Sequence, residues 1–204
     1  MALSDEIVRF DATPAPAGVS PWVGASRPER GIRIVPSDPA WPGEYRTLAE
    51  RVRAALGPAA IDVAHVGSTS VPGLPAKPVI DIDLIVEDSA DEDAYVPVLE
   101  RAGFALRLRE SWWYEHRMLV ADDPRANLHV FSRGAAEPVR HGIFRDWLRT
   151  HPDDRDRYRD AKIEAAGRAN AAGEDVAAYN ARKQDVIREI YGRAFAAQGL
   201  PPPR

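Results

Sequence analysis

The chain has no cysteine, which excludes disulfides, thiolate zinc sites and a cysteine nucleophile. It also lacks any run approaching the ~18–20 apolar residues of a membrane span, so no membrane partner is expected. The start does not resemble a signal peptide: Met1–Ile7 carries two acids and no apolar core follows, which points to a cytoplasmic protein. A basic excess is missing as well. The net charge is −4, the wrong sign for a dedicated nucleic-acid binder, though it leaves room for a local basic pocket that holds phosphates. There is no P-loop, no internal repeat, and no biased tract outside the two ends.

What is present suits one ordinary globular core: 204 residues, 45% hydrophobic and 28% charged. Residues 1–31 place Pro14, Pro16, Pro21 and Pro28 among Ala, Gly and Ser. They read as an arm without helix, disordered or draped over the domain, with Trp22 as its anchor. A single domain is expected over 32–198, followed by a tail at 199–204.

The organising stretch is His65–Val86, H-V-G-S-T-S-V-P-G-L-P-A-K-P-V-I-D-I-D-L-I-V. It joins two apolar strands through a loop stiffened by Pro72, Pro75 and Pro78. Asp81 and Asp83 sit two apart on the second strand and so share a face. Carboxylates in so apolar a run repel each other and lose hydration unless a cation or donor compensates. The alternative is a solvated strand end. Gly67 and Ser68 lie in the turn leaving the first strand, where free backbone N–H groups can face an anion.

Around this core the periodicity predicts a short strand at Ile32–Val35 and a helix over Ala40–Leu56, then a helix over Asp88–Gly103. Strands at Phe104–Leu108, Glu115–Val120 and Asn127–Phe131 follow. Helices over Pro138–Thr150, Pro152–Ala172 and Asp175–Gln198 complete the chain. This order is that of an α+β domain with a mixed sheet.

The same segments resemble the GrpB family, assigned to the nucleotidyltransferase superfamily. The resemblance runs from Ile32 to Ala194. It rests on D-P-A-W-P at Asp38–Pro42, the loop motif at His65–Pro78, N-L-H-V at Asn127–Val130, F-R-D-W-L-R-T-H-P at Phe144–Pro152, and on Tyr179 and Lys183. It implies a nucleotidyltransferase-like mixed β-sheet flanked by helices, with a helical C-terminal portion. Members are sometimes fused to dephospho-coenzyme A kinase, which points toward coenzyme A or nucleotide metabolism.

The resemblance also assigns roles. Asp81 and Asp83 would bind Mg²⁺, or Mn²⁺, and Gly67, Ser68 and Ser70 would hold phosphates. His129 stands where the superfamily commonly has a third carboxylate. It would complete the metal shell or act as a general base, unless it is a satisfied structural histidine. Lys77 and Lys183 would stabilise charge on the leaving or acceptor group, with Tyr179 turned toward the site; a structural ion pair with Asp146 or an acid on the preceding helix is the other reading of Lys183. Arg117, beside Trp112-Trp113-Tyr114, is a candidate substrate contact. His65 reads as a core histidine bonded to backbone, and the alternating charges of Asp153–Lys162 as a solvated helix face. The function expected is Mg²⁺-dependent nucleotidyl or phosphoryl transfer from a nucleoside triphosphate to a small-molecule acceptor. Its competitors are a non-catalytic nucleotide- or phosphometabolite-binding module and a metal-dependent enzyme that uses no nucleotide.

Overall fold

The apolar runs on either side of the proline-rich loop pair with one another. In a computed structural model, which describes residues 3–10 and 14–204, β1 (Asp62–Val66) and β2 (Ile80–Val86) are antiparallel, with Val66 opposite Asp81 and Ala64 opposite Asp83. β3 (Ala105–Glu110), β4 (His116–Asp122) and β5 (Arg125–Ser132) complete a five-stranded sheet of order β1-β2-β5-β4-β3. The β2–β5 pair is parallel and the others antiparallel, which makes the sheet mixed. That parallel pair sets Asp81 beside Asn127 and Asp83 beside His129.

Period-two alternation then divides β2 between two faces. Ile80, Ile82, Leu84 and Val86 turn to one side, where they meet Leu48, Val52 and Leu56 of α2 (Trp41–Leu56) and Leu99 of α3 (Val96–Arg101). Each such side chain, fully buried, contributes about 1.5–3 kcal/mol. Asp81 and Asp83 turn to the opposite side, toward α4 (Ala136–Thr150).

Helices α4, α5 (Pro152–Ala171), α6 (Val176–Arg182) and α7 (Gln184–Ala197) form the C-terminal portion. No helix among the described residues is long and apolar enough to cross a membrane.

Four expectations need correction. Ile32–Val35 is not a strand; it makes a single bridge, Val35 to Ala76, because Pro36 ends the run before a ladder can grow. The helix expected over Asp88–Gly103 shrinks to a 3₁₀ turn at Glu92–Ala94 and the short α3, since Pro97 has no N–H to bond backward and serves only in a first turn. The helix expected over Asp175–Gln198 breaks at Lys183. Tyr179 packs with Ile32, Ala165, Ala166 and Ala169, whereas Tyr191 and Phe195 pack with Ile7, Val8 and Ala136, and one straight helix cannot serve both clusters. The arm, expected to hold no helix, opens with α1 (Leu3–Ile7), which lies ahead of its first proline. Residues 1, 2 and 11–13 of the arm lie outside the described residues. Trp22 forms an isolated bridge to Leu108 at the sheet edge.

Candidate functional site

The loop after β1 is held rigidly. Gly67 takes φ +66° and ψ −171°, a backbone region open essentially to glycine alone. It also passes so close to β2 that a Cβ there would sit 2.4 Å from Asp81 Oδ2. Ser70 is 4% exposed and spends its hydroxyl on the Gly67 carbonyl at 2.6 Å, while Arg149 donates to the Ser70 carbonyl at 2.7 Å. Ser70 therefore closes the loop and is not free to hold phosphate, contrary to the expectation from sequence. Ser68 is half-buried, and among the described residues its N–H and hydroxyl have no partner. His65 is buried and stacked on Tyr45, but its hydrogen-bond partner is the Thr69 hydroxyl at 3.1 Å and not backbone. Burial pulls it down to about 4.

Asp81, Asp83 and His129 lie together on the side of the sheet facing α4. Asn127 donates to Asp81 Oδ1 at 2.9 Å, and His129 Nε2 is 3.8 Å from the same oxygen. Burial pushes the Asp81 carboxyl up, but His129, Lys77 and Asn127 more than offset this and leave it below the usual range. Asp83 is 1% exposed and faces His141 Nδ1 at 2.9 Å. His141 in turn has Nε2 3.3 Å from Glu137, one helical turn back on α4. Burial disfavours charge on His141, but Asp83 and Glu137 together raise it well above the ordinary imidazole value.

A second chain of groups runs behind His129. Its Nδ1 is 3.0 Å from His116 Nε2, and His116 Nδ1 is 2.8 Å from Glu110. Burial pulls His116 down to about 4, so near neutral pH it is uncharged. A carboxylate only accepts here, so His116 carries its proton on Nδ1. His116 Nε2 then accepts from His129 Nδ1–H, which leaves His129 Nε2 as the nitrogen that faces Asp81.

Lys77 is half-buried close to Asp81, and burial lowers its ammonium. Lys183 rests 4.4 Å above the ring of Tyr179, which is 1% exposed. Asp146 is engaged by Arg145 and Arg149 and does not pair with Lys183. Arg117 does not join the site. It lies opposite Val130 on the core side, where it is bound by Glu92 at 2.6 Å and by Glu115. The next residue back, His116, is the one that alternation turns toward His129.

Sequence reasoning missed His116, His141, Glu137 and Lys162. The spacing Glu137-x-x-x-His141 is a visible signal, and so is the stripe Tyr158, Lys162, Ala165, Ala166 and Ala169 on one face of α5. Lys162 is 1% exposed and Asp154 9%, so the face read as solvated is in part a packed one.

The donors suit a cation that arrives with phosphate, and not a preformed cage. Among the described residues no three acidic or imidazole side chains converge as ligands. Mg²⁺ is ordinarily held by one or two carboxylates and completes its shell with water and phosphate oxygens. Asp81, whose Oδ2 has no hydrogen-bond donor among the described residues, fits that role; Asp83 fits it only in competition with His141.

Comparison with known proteins gives the same picture of kinship. The GrpB protein family model matches residues 31–193. A UPF0157 protein of Halalkalibacterium halodurans is 47% identical over 175 residues, covering 85% of this chain and 88% of the relative. A dephospho-CoA kinase of Mycolicibacterium paratuberculosis is 34% identical over 191 residues, covering 80% of this chain but 46% of the relative. The crystal structure of the conserved protein GrpB from Enterococcus faecalis superposes with a TM-score of 0.69 at 27% identity, covering 82% of this chain and 99% of that one.

Proposed function

The chain belongs to the GrpB family, and from that membership we propose that it is a nucleotidyltransferase-like enzyme that draws a nucleoside triphosphate from the cytoplasm and passes its nucleotidyl or phosphoryl group to a small-molecule acceptor. The observation that carries this reading is the convergence of Asp81, Asp83 and His129 on one sheet face beside the Gly67–Ser68 turn. Mg²⁺, or Mn²⁺, held by Asp81 and Asp83 would neutralise phosphate oxygens and polarise the phosphorus toward attack. Ser68 offers its unpartnered N–H and hydroxyl to the phosphates. His129 Nε2, the nitrogen left facing the site because Nδ1 is engaged by His116 and Glu110 behind it, would accept the proton of an acceptor hydroxyl. Lys77 and Lys183 add positive charge where the leaving group develops its negative charge.

The kinase name of the mycobacterial relative supports nucleotide use only weakly, because less than half of that protein is matched. One observation favours a second reading, a non-catalytic sensor of a phosphorylated metabolite: Asp83 already has a cationic partner in His141.

The test is calorimetric titration of the wild type and Asp81→Asn with ATP, GTP, CTP and UTP, with and without Mg²⁺. Metal-dependent binding of one nucleotide, lost in Asp81→Asn, is the expected result and names the donor. Binding that ignores both metal and Asp81 would favour the sensor. No nucleotide binding at all would remove the transferase reading.

A further inference from the structure

Lys162 is a buried lysine without a carboxylate partner among the described residues. It is 1% exposed, donates to the Pro75 carbonyl, and lies 5.1 Å from the centroid of the Tyr158 ring. Lys183, from the break between α6 and α7, approaches the same ring at 5.8 Å. Lys77 enters from the loop, two residues beyond Pro75. Among the described residues, none of these three lysines has a carboxylate within 4.0 Å. Asp81 is the carboxylate felt by all three.

Three lysine side chains share one carboxylate where water has little access, so they cannot all carry their protons at low cost until an anion joins them. Tyr158 and Tyr179 can supply cation–π contact and hydroxyls, but no full negative charge. A carboxylate ligand would bring a single charge. Linked phosphates bring two or more, spread over several acceptor oxygens, and match the excess better. Lys77 also lines a cavity of about 220 Å³ with Arg33 and the ion-paired Glu29 and Arg125, so positive charge continues outward from Lys162 and Lys183.

We propose that Lys77, Lys162 and Lys183, arranged around the Tyr158 and Tyr179 rings beside Asp81, form one pocket for two or more linked phosphates, those of the donor nucleotide. The identity of the anion rests on the transferase reading above; the pocket rests on the lysine geometry.

A physical signature follows. Burial, and then Lys183 and Lys77, pull the Lys162 ammonium down to about 6, so near neutral pH the empty pocket holds it mostly uncharged. The titratable groups facing it are Lys77, Lys183, Asp81, Tyr158 and Tyr179. A bound polyanion favours the charged form, so binding takes up a proton.

The experiment is calorimetry of inorganic tripolyphosphate binding to the full chain near neutral pH, in chelator and without divalent metal, using two buffers of different ionisation enthalpy. The wild type is expected to bind with proton uptake. Lys162→Met is expected to bind about tenfold more weakly, or worse, and without that uptake. Lys183→Met, partly exposed and so less prone to misfold, is expected to weaken binding to a similar degree and decides the matter if Lys162→Met does not fold. No tripolyphosphate binding by the wild type, or unchanged binding by the variants, overturns the pocket. If Asp81-dependent binding of Mg–ATP persists in that case, the transferase reading stands without it. Lysine-dependent tripolyphosphate binding with no nucleotide binding under any condition would keep the pocket, reassign it to a free polyphosphate, and overturn the transferase reading.

Discussion

His141 reaches across 58 residues of sequence to set its Nδ1 2.9 Å from Asp83 Oδ2, tying α4 to β2. Asp83 is nearly inaccessible, so this imidazolium is what makes a carboxylate tolerable in the interior.

Removing the imidazole should therefore cost stability as well as function. His141→Gln leaves Asp83 and Glu137 without their shared cation, a loss on the order of 3–5 kcal/mol for a broken buried pair. The same reasoning applies to Asp83→Ala, which leaves His141 with Glu137 as its one remaining carboxylate partner among the described residues. The folded His141 has its proton affinity raised above the ordinary imidazole value. Its contribution is thus complete in weak acid and fades as pH rises through the raised folded value. Chemical unfolding of the wild type across neutral to alkaline pH should show that decline. His141→Gln should be less stable throughout and lack that part of the pH dependence; equal midpoints for the two proteins would contradict it.

Glu137 should govern the acid side. Burial would raise its carboxyl, but His141 and Arg140 outweigh burial and hold it down to about 2. A depressed folded value means a contribution present above the unfolded value and lost as pH falls toward the folded one, here between the ordinary 4.5 and about 2. The linkage amounts to about 3 kcal/mol. Glu137→Gln should unfold with a flatter acid limb than the wild type. A parallel acid limb would assign the acid sensitivity to other carboxylates.

The contrast between Arg117 and His116 shows what the sequence can and cannot tell. Alternation along a strand is local, so Asp81 and Asp83 can be read onto one face from their spacing alone. Which side of β4 meets that face depends on its register with β5, where Met118 opposes His129 and Arg117 opposes Val130. A one-residue difference inverts the assignment, and nothing in Trp112–Arg117 fixes it locally. His141, Glu137 and Lys162 were hidden for another reason. Each lies on a helix rich in charge, where polar residues ordinarily face water, and only the packing of α4 and α5 against the sheet and loop turns these three inward. The break at Lys183 has no proline or glycine to announce it; it follows from two separate apolar clusters that the two half-helices must each fill.

The proton arrangement behind His129 can be examined without any substrate. Glu110 fixes the His116 tautomer, and His116 fixes that of His129. Nitrogen-15 NMR of the wild type should show His129 with its Nδ1 protonated. Glu110→Gln removes the acceptor-only partner, because an amide can rotate and donate. His129 should then populate both tautomers. A spectrum unchanged by Glu110→Gln would mean that the relay does not set the proton on His129.

Gly67 offers the sharpest separation of backbone strain from contact. Gly67 and Gly73 both have positive φ, +66° and +78°, but only the first has a neighbour that a methyl group would strike. A Cβ at residue 73 meets nothing within 4 Å, whereas one at residue 67 would lie 2.4 Å from Asp81 Oδ2 and 2.9 Å from Asp81 Cβ. Gly73→Ala should thus cost about 1 kcal/mol of backbone strain and leave ligand binding alone. Gly67→Ala should cost more, about 1–3 kcal/mol from the backbone alone. It must also push the Asp81 carboxylate or the loop away, since β2 is held on both sides by its neighbours. Paired thermal unfolding and Mg–nucleotide titration of the two variants measure this directly. Loss of metal-dependent binding in Gly67→Ala alone would tie the glycine to the position of Asp81. Equal behaviour of the two variants would show that the close approach between loop and carboxylate has no part in binding.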